Sequence, residues 1–270
     1  MNVSTNRAVI LMYHRLAMTL PTDPGERIYT LSPYTFRQQM AAIARRGLEV
    51  VGLDALATGH FSNRSVVLTF DDGCDSDLSE ALPVLRDFDF RACFFVSPAR
   101  LGETGYLCWS GLERLAAAGM QIGAHGLDHS LLDGLSQSEL ENQLGVSKQL
   151  LEQRLGTEVD AVSLPGGSGG KRVLQTAYDL GYRMVLGSRP GVIRTASLSG
   201  ALPRFALRCG SDLEGFCRLV DQEIRFVGQQ VLRYSVTRFA RAALGPSVYE
   251  RLIRAVSSRR YAGPPSERTV

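Results

Sequence analysis

The chain has 270 residues, of which 44% are hydrophobic and 21% are charged. This composition is typical of a globular protein with a large core, and it excludes an intrinsically disordered chain. The length is ordinary for a single α/β barrel. No apolar stretch approaches the roughly 18 residues that a membrane span needs, so we expect no transmembrane helix.

The cysteines and the N-terminus bear on the cellular compartment. The five cysteines are odd in number, scattered and without a C-x-x-C pair, which argues against a disulfide framework and against a zinc–thiolate site. The N-terminal residues MNVSTNRAVILMYHRL lack the order of basic, apolar and small residues that marks a signal peptide. We therefore expect a cytoplasmic protein whose first strand is Ala8–Tyr13.

The net charge of +3 is unevenly distributed along the chain. Residues 225–270 hold nine arginines against two glutamates, which gives this segment +7 and leaves −4 for the rest. Such asymmetry predicts a basic segment that contacts an anionic partner, while a solvated helix face is the simpler alternative. No stacking aromatics or known motif accompany the arginines, so nucleic acid is not an expected partner.

Short apolar runs alternate with helical patterns over the first 210 residues. The pattern of Ser32–Gly47 predicts a helix with Phe36, Met40 and Ile43 on one face, and residues 136–156 predict another that opens with a capping box. The apolar runs predict eight strands: Ala8–Tyr13, Glu49–Leu53, Ser65–Phe70, Arg91–Ser97, Met120–His125, Val159–Leu164, Tyr182–Gly187 and Leu202–Leu207.

Strands that alternate with helices predict an α/β fold with a largely parallel sheet, closed into a barrel over residues 1–224. Residues 225–270 predict a short helical extension. Its first helix ends at Gly245, and Pro246 prevents continuation. A second capping box, Ser247 and Glu250, opens another amphipathic helix before an end that we expect to be disordered.

The strand Ser65–Phe70 ends on two adjacent aspartates, Asp71 and Asp72. Two neighbouring carboxylates repel each other and lose hydration, so one of them must gain a proton or a cation. His125 follows another predicted strand, and His129 lies four residues further on, a spacing that can aim two imidazoles at one point. In a barrel these strand ends meet at one rim.

Two imidazoles and one carboxylate are a common site for a catalytic divalent metal with open coordination positions. Either Asp71 or Asp72 supplies the carboxylate, and the other then acts as a base toward water that the metal activates. This arrangement predicts hydrolysis of an acyl compound. For the histidines alone, a surface loop with two incidental imidazoles is the alternative.

Several segments between about Val9 and Leu207 closely resemble the polysaccharide deacetylases of the NodB-homology type, carbohydrate esterase family four. These segments are TFDDG, the His125/His129 pair, LMYHR, ALPVL, ACFFV, IGAHGLDHSLLDGLS and LPGG. The resemblance implies a distorted (β/α) barrel and removal of an N-acyl group, usually N-acetyl, from an amino sugar. It implies that Asp71 is the catalytic base, and that Asp72, His125 and His129 hold zinc or a similar divalent ion such as nickel or cobalt.

The third motif of this family commonly reads R-x-P-Y, whereas Ser163–Gly167 reads SLPGG. The segment has lost the arginine and the tyrosine of that pattern. We predict that it retains a structural role and that the backbone N–H of Gly166 points at the oxyanion.

The final motif of the family usually supplies a histidine as general acid, but no histidine follows His129 in this chain. We assign that role to His14, which follows the first strand on the same rim; a bond from this imidazole to a backbone carbonyl is the alternative. In the LPRF segment that occupies the final-motif region, Arg204 is predicted to pair with Asp71 and keep it ionised.

The expected partner is a glycan that contains an amino sugar, or its lipid-linked precursor at the inner face of the membrane; a nucleotide-linked sugar is the alternative. Residues 225–270 are expected to make peripheral contact with an anionic membrane, with Val227, Val231 and Tyr234 on one apolar face. A catalytically inactive glycan-binding relative is a different class of hypothesis. The intact set of two aspartates and two histidines argues against it.

Overall fold

The computed structural model describes residues 6–194 and 200–244. The chain divides into two compact units, Met1–Val227 and Gly228–Val270. Within the described residues of the second unit, the structure is the greater part of one long helix. The predicted second helix of the extension, with its capping box at Ser247 and Glu250, lies outside the described residues.

The strands of the described residues are β1 (Arg7–Tyr13), β2 (Glu49–Val50), β3 (Ser65–Phe70), β4 (Cys93–Val96), β5 (Gln121–Ala124), β6 (Ala161–Ser163), β7 (Met184–Leu186), β8 (Ile193–Arg194), β9 (Ala201–Leu202) and β10 (Phe205–Ala206). The helices are α1 (Pro24–Ile28), α2 (Pro33–Arg45), α3 (Leu53–Thr58), α4 (Leu82–Asp87), α5 (Trp109–Ala117), α6 (Gln137–Glu141), α7 (Ser147–Leu155), α8 (Lys171–Asp179), α9 (Leu213–Val220) and α10 (Ile224–Leu244).

The strands form a nearly closed, barrel-shaped sheet with the order β10-β1-β3-β4-β5-β6-β7-β9. All neighbours along this path are parallel, and β8 makes the sheet mixed because it runs antiparallel to β1. The two edge strands, β9 and β10, are joined by only Pro203 and Arg204. The predicted α/β barrel is therefore confirmed.

The predicted single strand Leu202–Leu207 is wrong, because the chain crosses there from one edge of the sheet to the other. Leu202 pairs with β7, whereas Phe205 pairs with β1. Pro203 has no backbone N–H to give to a ladder, and the N–H of Arg204 donates to the carbonyl of Arg189 at 2.9 Å. The crossing aims Arg204 into the barrel.

Side chains of the strands alternate between two buried clusters, as period-2 geometry requires. On β1, Val9 and Leu11 pack in a large cluster that also contains the apolar face of α2. Ile10 packs in a smaller cluster with Val67 and Phe95, which fills the barrel interior. The predicted helix face of Phe36, Met40 and Ile43 is buried, as expected.

The helix predicted over residues 136–156 is a succession of pieces. The capping box of Ser136 and Glu139 is present, and the chain then passes from α6 through a wider π-helical turn at Asn142–Val146 into α7. A similar turn at Asp77–Ala81 precedes α4. Among the described residues, no helix combines the length and apolar character needed to cross a bilayer.

Candidate active site

Parallel strands bring four polar segments to one rim of the barrel. His14 follows β1, Asp71 and Asp72 follow β3, and His125 follows β5, while Ser163 is the last residue of β6. The carboxyl ends of parallel strands form a common edge, which is where chemistry collects in such barrels. The sequence pattern had placed the aspartates and histidines at these ends, and the structure brings them together.

Asp72, His125 and His129 form one cluster at this rim. The Oδ1 atom of Asp72 lies 3.4 Å from Nε2 of His125 and 3.1 Å from Nε2 of His129. The three ligand atoms all lie within 4.8 Å of one another. Ligands at about 2.0 Å from a tetrahedral ion are about 3.3 Å apart, so the observed separations suit such an ion.

The backbone of the cluster is held in the left-handed region, which residues with side chains seldom occupy. Asp72 has φ +80° and His129 has φ +69°. Gly73 follows with φ +68°, and a Cβ there would lie 2.8 Å from Cγ1 of Val96, so only glycine fits the turn. The TFDDG motif therefore has a steric reason for its glycine as well as a chemical reason for its aspartates.

The hydrogen bonds of His125 suit it for metal binding. Its Nδ1 lies 2.8 Å from the carbonyl oxygen of Ser163, which accepts only, so Nδ1 carries a proton. The neutral imidazole then presents its Nε2 lone pair toward Asp72 and His129. Two imidazoles with one carboxylate match the donor set of a catalytic zinc site, so the residues present fit a divalent ion.

The pKa values in the cluster follow from the close contacts. Burial alone would raise the pKa of Asp72, but hydrogen bonds from His125 and His129 hold that pKa well below its usual range. Burial lowers the pKa of His125, but the bond to Asp72 and the charge of Asp71 raise it by more, giving a net rise. Protons and a metal ion therefore compete for this imidazole.

Asp71 lies beside the cluster, and Arg204 binds its carboxylate in a bidentate pair. Nη1 of Arg204 donates to Oδ1 at 2.8 Å and Nη2 donates to Oδ2 at 2.7 Å. The same guanidinium donates to Thr69 Oγ1 at 3.2 Å and, through Nε, to the carbonyl of Gly187 at 2.8 Å. The pairing that the sequence predicted for Arg204 is thus present in the structure.

The ion pair is buried, with Arg204 fully excluded from solvent and Asp71 at 3% exposure. Burial raises the pKa of Asp71, but the Arg204 charge, followed by the charge of His125, lowers it below its ordinary value. The Asp71 carboxylate therefore stays ionised although it is buried. Removing either partner would leave an uncompensated buried charge.

Ser163 was absent from the predicted site residues, and it contacts both halves of the site. Its Oγ donates to Asp71 Oδ2 at 2.9 Å and accepts from Arg204 Nη2 at 2.7 Å, while its carbonyl oxygen accepts from His125. The sequence signal was the departure from R-x-P-Y, where Ser163 stands in the position of the arginine. In this chain the guanidinium reaches Asp71 from Arg204 instead.

His14 lies at the same rim, with its ring 4.5 Å from that of Tyr29, centroid to centroid. Burial lowers the pKa of His14, against the opposing charges of Asp72 and Asp71, so its imidazole is largely neutral at pH 7. Its Nδ1 is buried and has no hydrogen-bond partner among the described residues. Among the described residues, Nδ1 of His14 therefore does not make the alternative hydrogen bond to a backbone carbonyl at a strand end.

A cleft of about 230 Å³ opens beside the cluster. It is lined by His14, Arg15, Gly25, Glu26, Tyr29, Asp72, Cys74, Arg100, Tyr106 and His129. The two tyrosines and two arginines of this lining were not among the predicted residues. Arg15 follows His14 in the LMYHR segment, whereas Tyr29, Arg100 and Tyr106 lie outside every segment that carries the resemblance.

Gly166 follows β6 in an exposed turn with φ +68°. A Cβ at this position would lie 2.6 Å from Cδ2 of Leu131, a side chain that is 64% exposed. A side chain at this position, where the family pattern has tyrosine, would require Leu131 to move aside, and the backbone there lies in the region that favours glycine. The role of the Gly166 N–H at an oxyanion stays a prediction.

Comparison with protein families identifies residues 58–185 as matching the polysaccharide deacetylase model. The peptidoglycan-N-acetylglucosamine deacetylase of Bacillus cereus is 30% identical over 128 residues, which cover 47% of this chain and 58% of that protein. The chitin deacetylase of a Pestalotiopsis species is 31% identical over 118 residues, covering 44% and 39%. The matched region spans about half the length of the curated relatives.

Among solved structures, the deacetylase PplD of Streptococcus pyogenes, in complex with acetate, superposes with a TM-score of 0.72. It is 23% identical and the alignment covers 78% of this chain and 96% of that one. This likeness confirms the barrel fold of the deacetylases.

Proposed function

We propose that this chain, whose residues 58–185 match the polysaccharide deacetylase family, is a metal-dependent hydrolase that removes an N-acyl group, most often acetyl, from an amino sugar. The observation that carries the proposal is the division between two adjacent aspartates. Asp72 faces two imidazoles in a set that suits a divalent ion, while Asp71 is paired with Arg204 and kept ionised beside it.

In this proposal Asp72, His125 and His129 hold the ion, with zinc as the first candidate and nickel or cobalt as the others. When bound, such an ion polarises the acyl carbonyl and lowers the pKa of water. Asp71 is the base that takes a proton from the attacking water. Arg204 and Ser163 hold the Asp71 carboxylate in one orientation and favour its ionised form before that step.

His14 is the proposed general acid for the departing amine. It lines the cleft together with Asp72 and His129, which supports this role if the substrate enters through that cleft. Because burial lowers its pKa, the protonated imidazole would be a strong acid that is present at low occupancy at pH 7. The Gly166 N–H is the proposed donor to the oxyanion.

The test of the activity is a deacetylase assay of the purified full-length chain on N-acetylglucosamine oligomers, with acetate release as the readout. We expect acetate release that a chelator abolishes and that added zinc, cobalt or nickel restores. If glycan binds but no acetate is released under any metal, the chain is an inactive glycan-binding relative and the proposed function is wrong.

A His14→Ala variant tests the general acid. We expect the turnover to fall by about 10²–10⁴ with the metal content unchanged, which is the usual contribution of a positioned acid. Turnover close to that of the unaltered protein would remove His14 from the mechanism and leave the departing amine to be protonated by the acid form of Asp71.

We further propose that the substrate is a lipid-linked glycan precursor at the inner face of the membrane, with a nucleotide-linked sugar as the second candidate. The basic residues 225–270 support this location, because the cytoplasmic leaflet is anionic. Mass spectrometry after incubation with free, nucleotide-linked and lipid-linked N-acetyl sugars decides among them. The preferred substrate is the one whose mass falls by the difference between an acetamide and an amine at the lowest enzyme concentration.

A further inference from the structure

Helix α10 exposes large apolar side chains to solvent along much of its length. Four of them are between 59% and 77% exposed: Ile224, Leu232, Val236 and Phe239. Large apolar side chains that recur on one surface indicate a contact with an apolar partner.

These four residues share one face of the helix. At 100° per residue they lie within an arc of about 120°, the width of the apolar face of an amphipathic helix. We call this face the α10 stripe. The face that the sequence predicted, Val227, Val231 and Tyr234, is a neighbouring one, and these three side chains are half-buried.

Arginines flank the α10 stripe on both sides. Arg233 and Arg238 are exposed and lie roughly 60° and 40° outside the two edges of the stripe, and the exposed Arg225 lies within its arc, between Leu232 and Val236. Residues 224–244 include four arginines and no acidic residue. The stripe therefore has a cationic border that its own helix does not neutralise.

This charge pattern selects among the partners that an apolar stripe could have. A second copy packed stripe to stripe would bring the flanking arginines of both helices together with no acid on either helix to pair with them, and such like charges repel. A nucleic acid would engage the arginines but leave the apolar side chains without a partner. An anionic bilayer can contact both the apolar side chains and the arginines, because its acyl chains bury the stripe and its phosphates pair with the guanidinium groups.

We propose that the α10 stripe is a membrane-binding surface that lies in the interface of an anionic bilayer. Leu232, Val236 and Phe239 enter the acyl boundary, and Arg233 and Arg238 reach the lipid phosphates. This surface plays no part in the acyl chemistry, so membrane binding and deacetylase activity can be tested independently.

Fluorescence measures the insertion directly. The chain has one tryptophan, Trp109, which lies in the barrel unit and provides a constant background. Leu232→Trp places a reporter in the stripe, and Thr237→Trp places one on the opposite, exposed side of the same helix. With phosphatidylglycerol vesicles at low salt, we expect a blue shift for L232W and none for T237W. Equal spectra for the two variants, shifted or unshifted, would overturn the proposal.

Vesicle flotation separates the apolar and the charged contributions. We expect the full-length protein to float with phosphatidylglycerol vesicles and not with phosphatidylcholine vesicles, and to be released by salt. Leu232→Ser with Phe239→Ser, and separately Arg233→Gln with Arg238→Gln, should each weaken binding by roughly tenfold or more. Thr237→Ser is the matched control and should bind as the unaltered protein does.

Two results would contradict the proposal that the α10 stripe binds membranes. One is full binding by the double serine variant, which would leave only a diffuse electrostatic attraction. The other is a protein that self-associates without lipid and becomes monomeric in the double serine variant, because the stripe would then be the interface of a second copy. All these substitutions are at exposed positions, so circular dichroism and deacetylase activity should stay unchanged.

Discussion

Asp71 and Asp72 are adjacent in sequence, yet they occupy opposite environments. The Asp72 side chain is 24% exposed, contacts two imidazoles and lines an open cleft. The Asp71 side chain is buried among Arg204, Ser163 and the barrel interior. The alternation of β3 separates them, because Thr69 and Asp71 point to the same side of the strand and both contact Arg204.

The comparison shows how one motif can supply two chemical roles. A carboxylate without a cation of its own, beside two imidazoles, is a ligand. A carboxylate that already has a fixed guanidinium is poorly placed to bind a second cation, but it remains ionised and able to accept a proton. The environment, rather than the residue type, distinguishes the proposed ligand from the proposed base.

Of the substitutions around Asp71, the removal of Arg204 should have the largest effect on stability and on the pH dependence of activity. In Arg204→Gln the buried carboxylate loses its counter-charge, so we expect a loss of about 3 kcal/mol in the free energy of unfolding. Burial then dominates and raises the pKa of Asp71, so the acid limb of kcat/KM should move to higher pH. Denaturant titration and a pH profile measure the two effects.

The matched control is Arg37→Gln. Nη1 of Arg37 lies only 2.7 Å from Oδ2 of Asp87, but both side chains are about half exposed. Exposed pairs contribute about 0–1 kcal/mol, so stability and activity should barely change. If Arg204→Gln behaved like this control, the buried ion pair would not be what keeps Asp71 in its role.

A smaller effect is expected for Ser163→Ala. The hydroxyl that contacts Asp71 and Arg204 is lost, but the carbonyl that accepts from His125 remains. We expect kcat to fall about 10–100-fold while metal content and KM stay unchanged. Ser65→Ala, at a buried serine at the other end of the barrel, is the control and should keep its kcat. A loss of metal in Ser163→Ala would contradict the division between the two halves of the site.

The smallest effect concerns Asp77, the fourth aspartate of the segment Val66–Asp77. Its side chain is fully buried, and neither carboxylate oxygen has a partner among the described residues. Burial, and then the charge of Asp72, raises its pKa well above the ordinary value. The folded protein therefore binds a proton that the unfolded chain releases above pH 4, and stability falls as pH rises from there toward the folded pKa.

Asp77→Asn should remove that dependence. We expect a melting temperature a few degrees higher than that of the unaltered protein at pH 8, and little difference at pH 4, as measured by scanning calorimetry. If Asp77→Asn and the unaltered protein had equal melting temperatures at pH 4 and again at pH 8, Asp77 would be shown to ionise in the folded state. Such a result would mean that burial alone does not set the charge of an aspartate in this segment.

Much of the fold was visible in the sequence because the strands are continuous apolar runs. Ser65–Phe70 was predicted with its observed bounds, and β1 differed by one residue. Leu202–Leu207 was misread because its residues are as apolar as those of a strand, and apolar character does not say that the two halves pair with opposite edges of a sheet. That information lies in the closure of the barrel.

Some of the site residues could likewise be predicted from the sequence, and others could not. Asp71, Asp72 and His125 follow their strands directly and His129 lies four residues beyond His125, so sequence order and barrel geometry were enough to bring them together. Ser163 was missed because its only sequence signal is that it stands where the family pattern has arginine, and that substitution does not show that its hydroxyl contacts Asp71. The cleft lining of Tyr29 and Tyr106 likewise depends on loops from distant parts of the chain.

The measurement that tests the central claim most directly compares Asp71→Asn with Asp72→Asn, two substitutions that remove a charge while keeping the shape. Metal content after gel filtration and turnover on the same N-acetyl sugar are measured for both. We predict that Asp71→Asn retains the metal and loses turnover by orders of magnitude, while Asp72→Asn loses most of its metal as well. Equal metal loss in the two variants, or an active Asp71→Asn, would contradict the assignment of base and ligand.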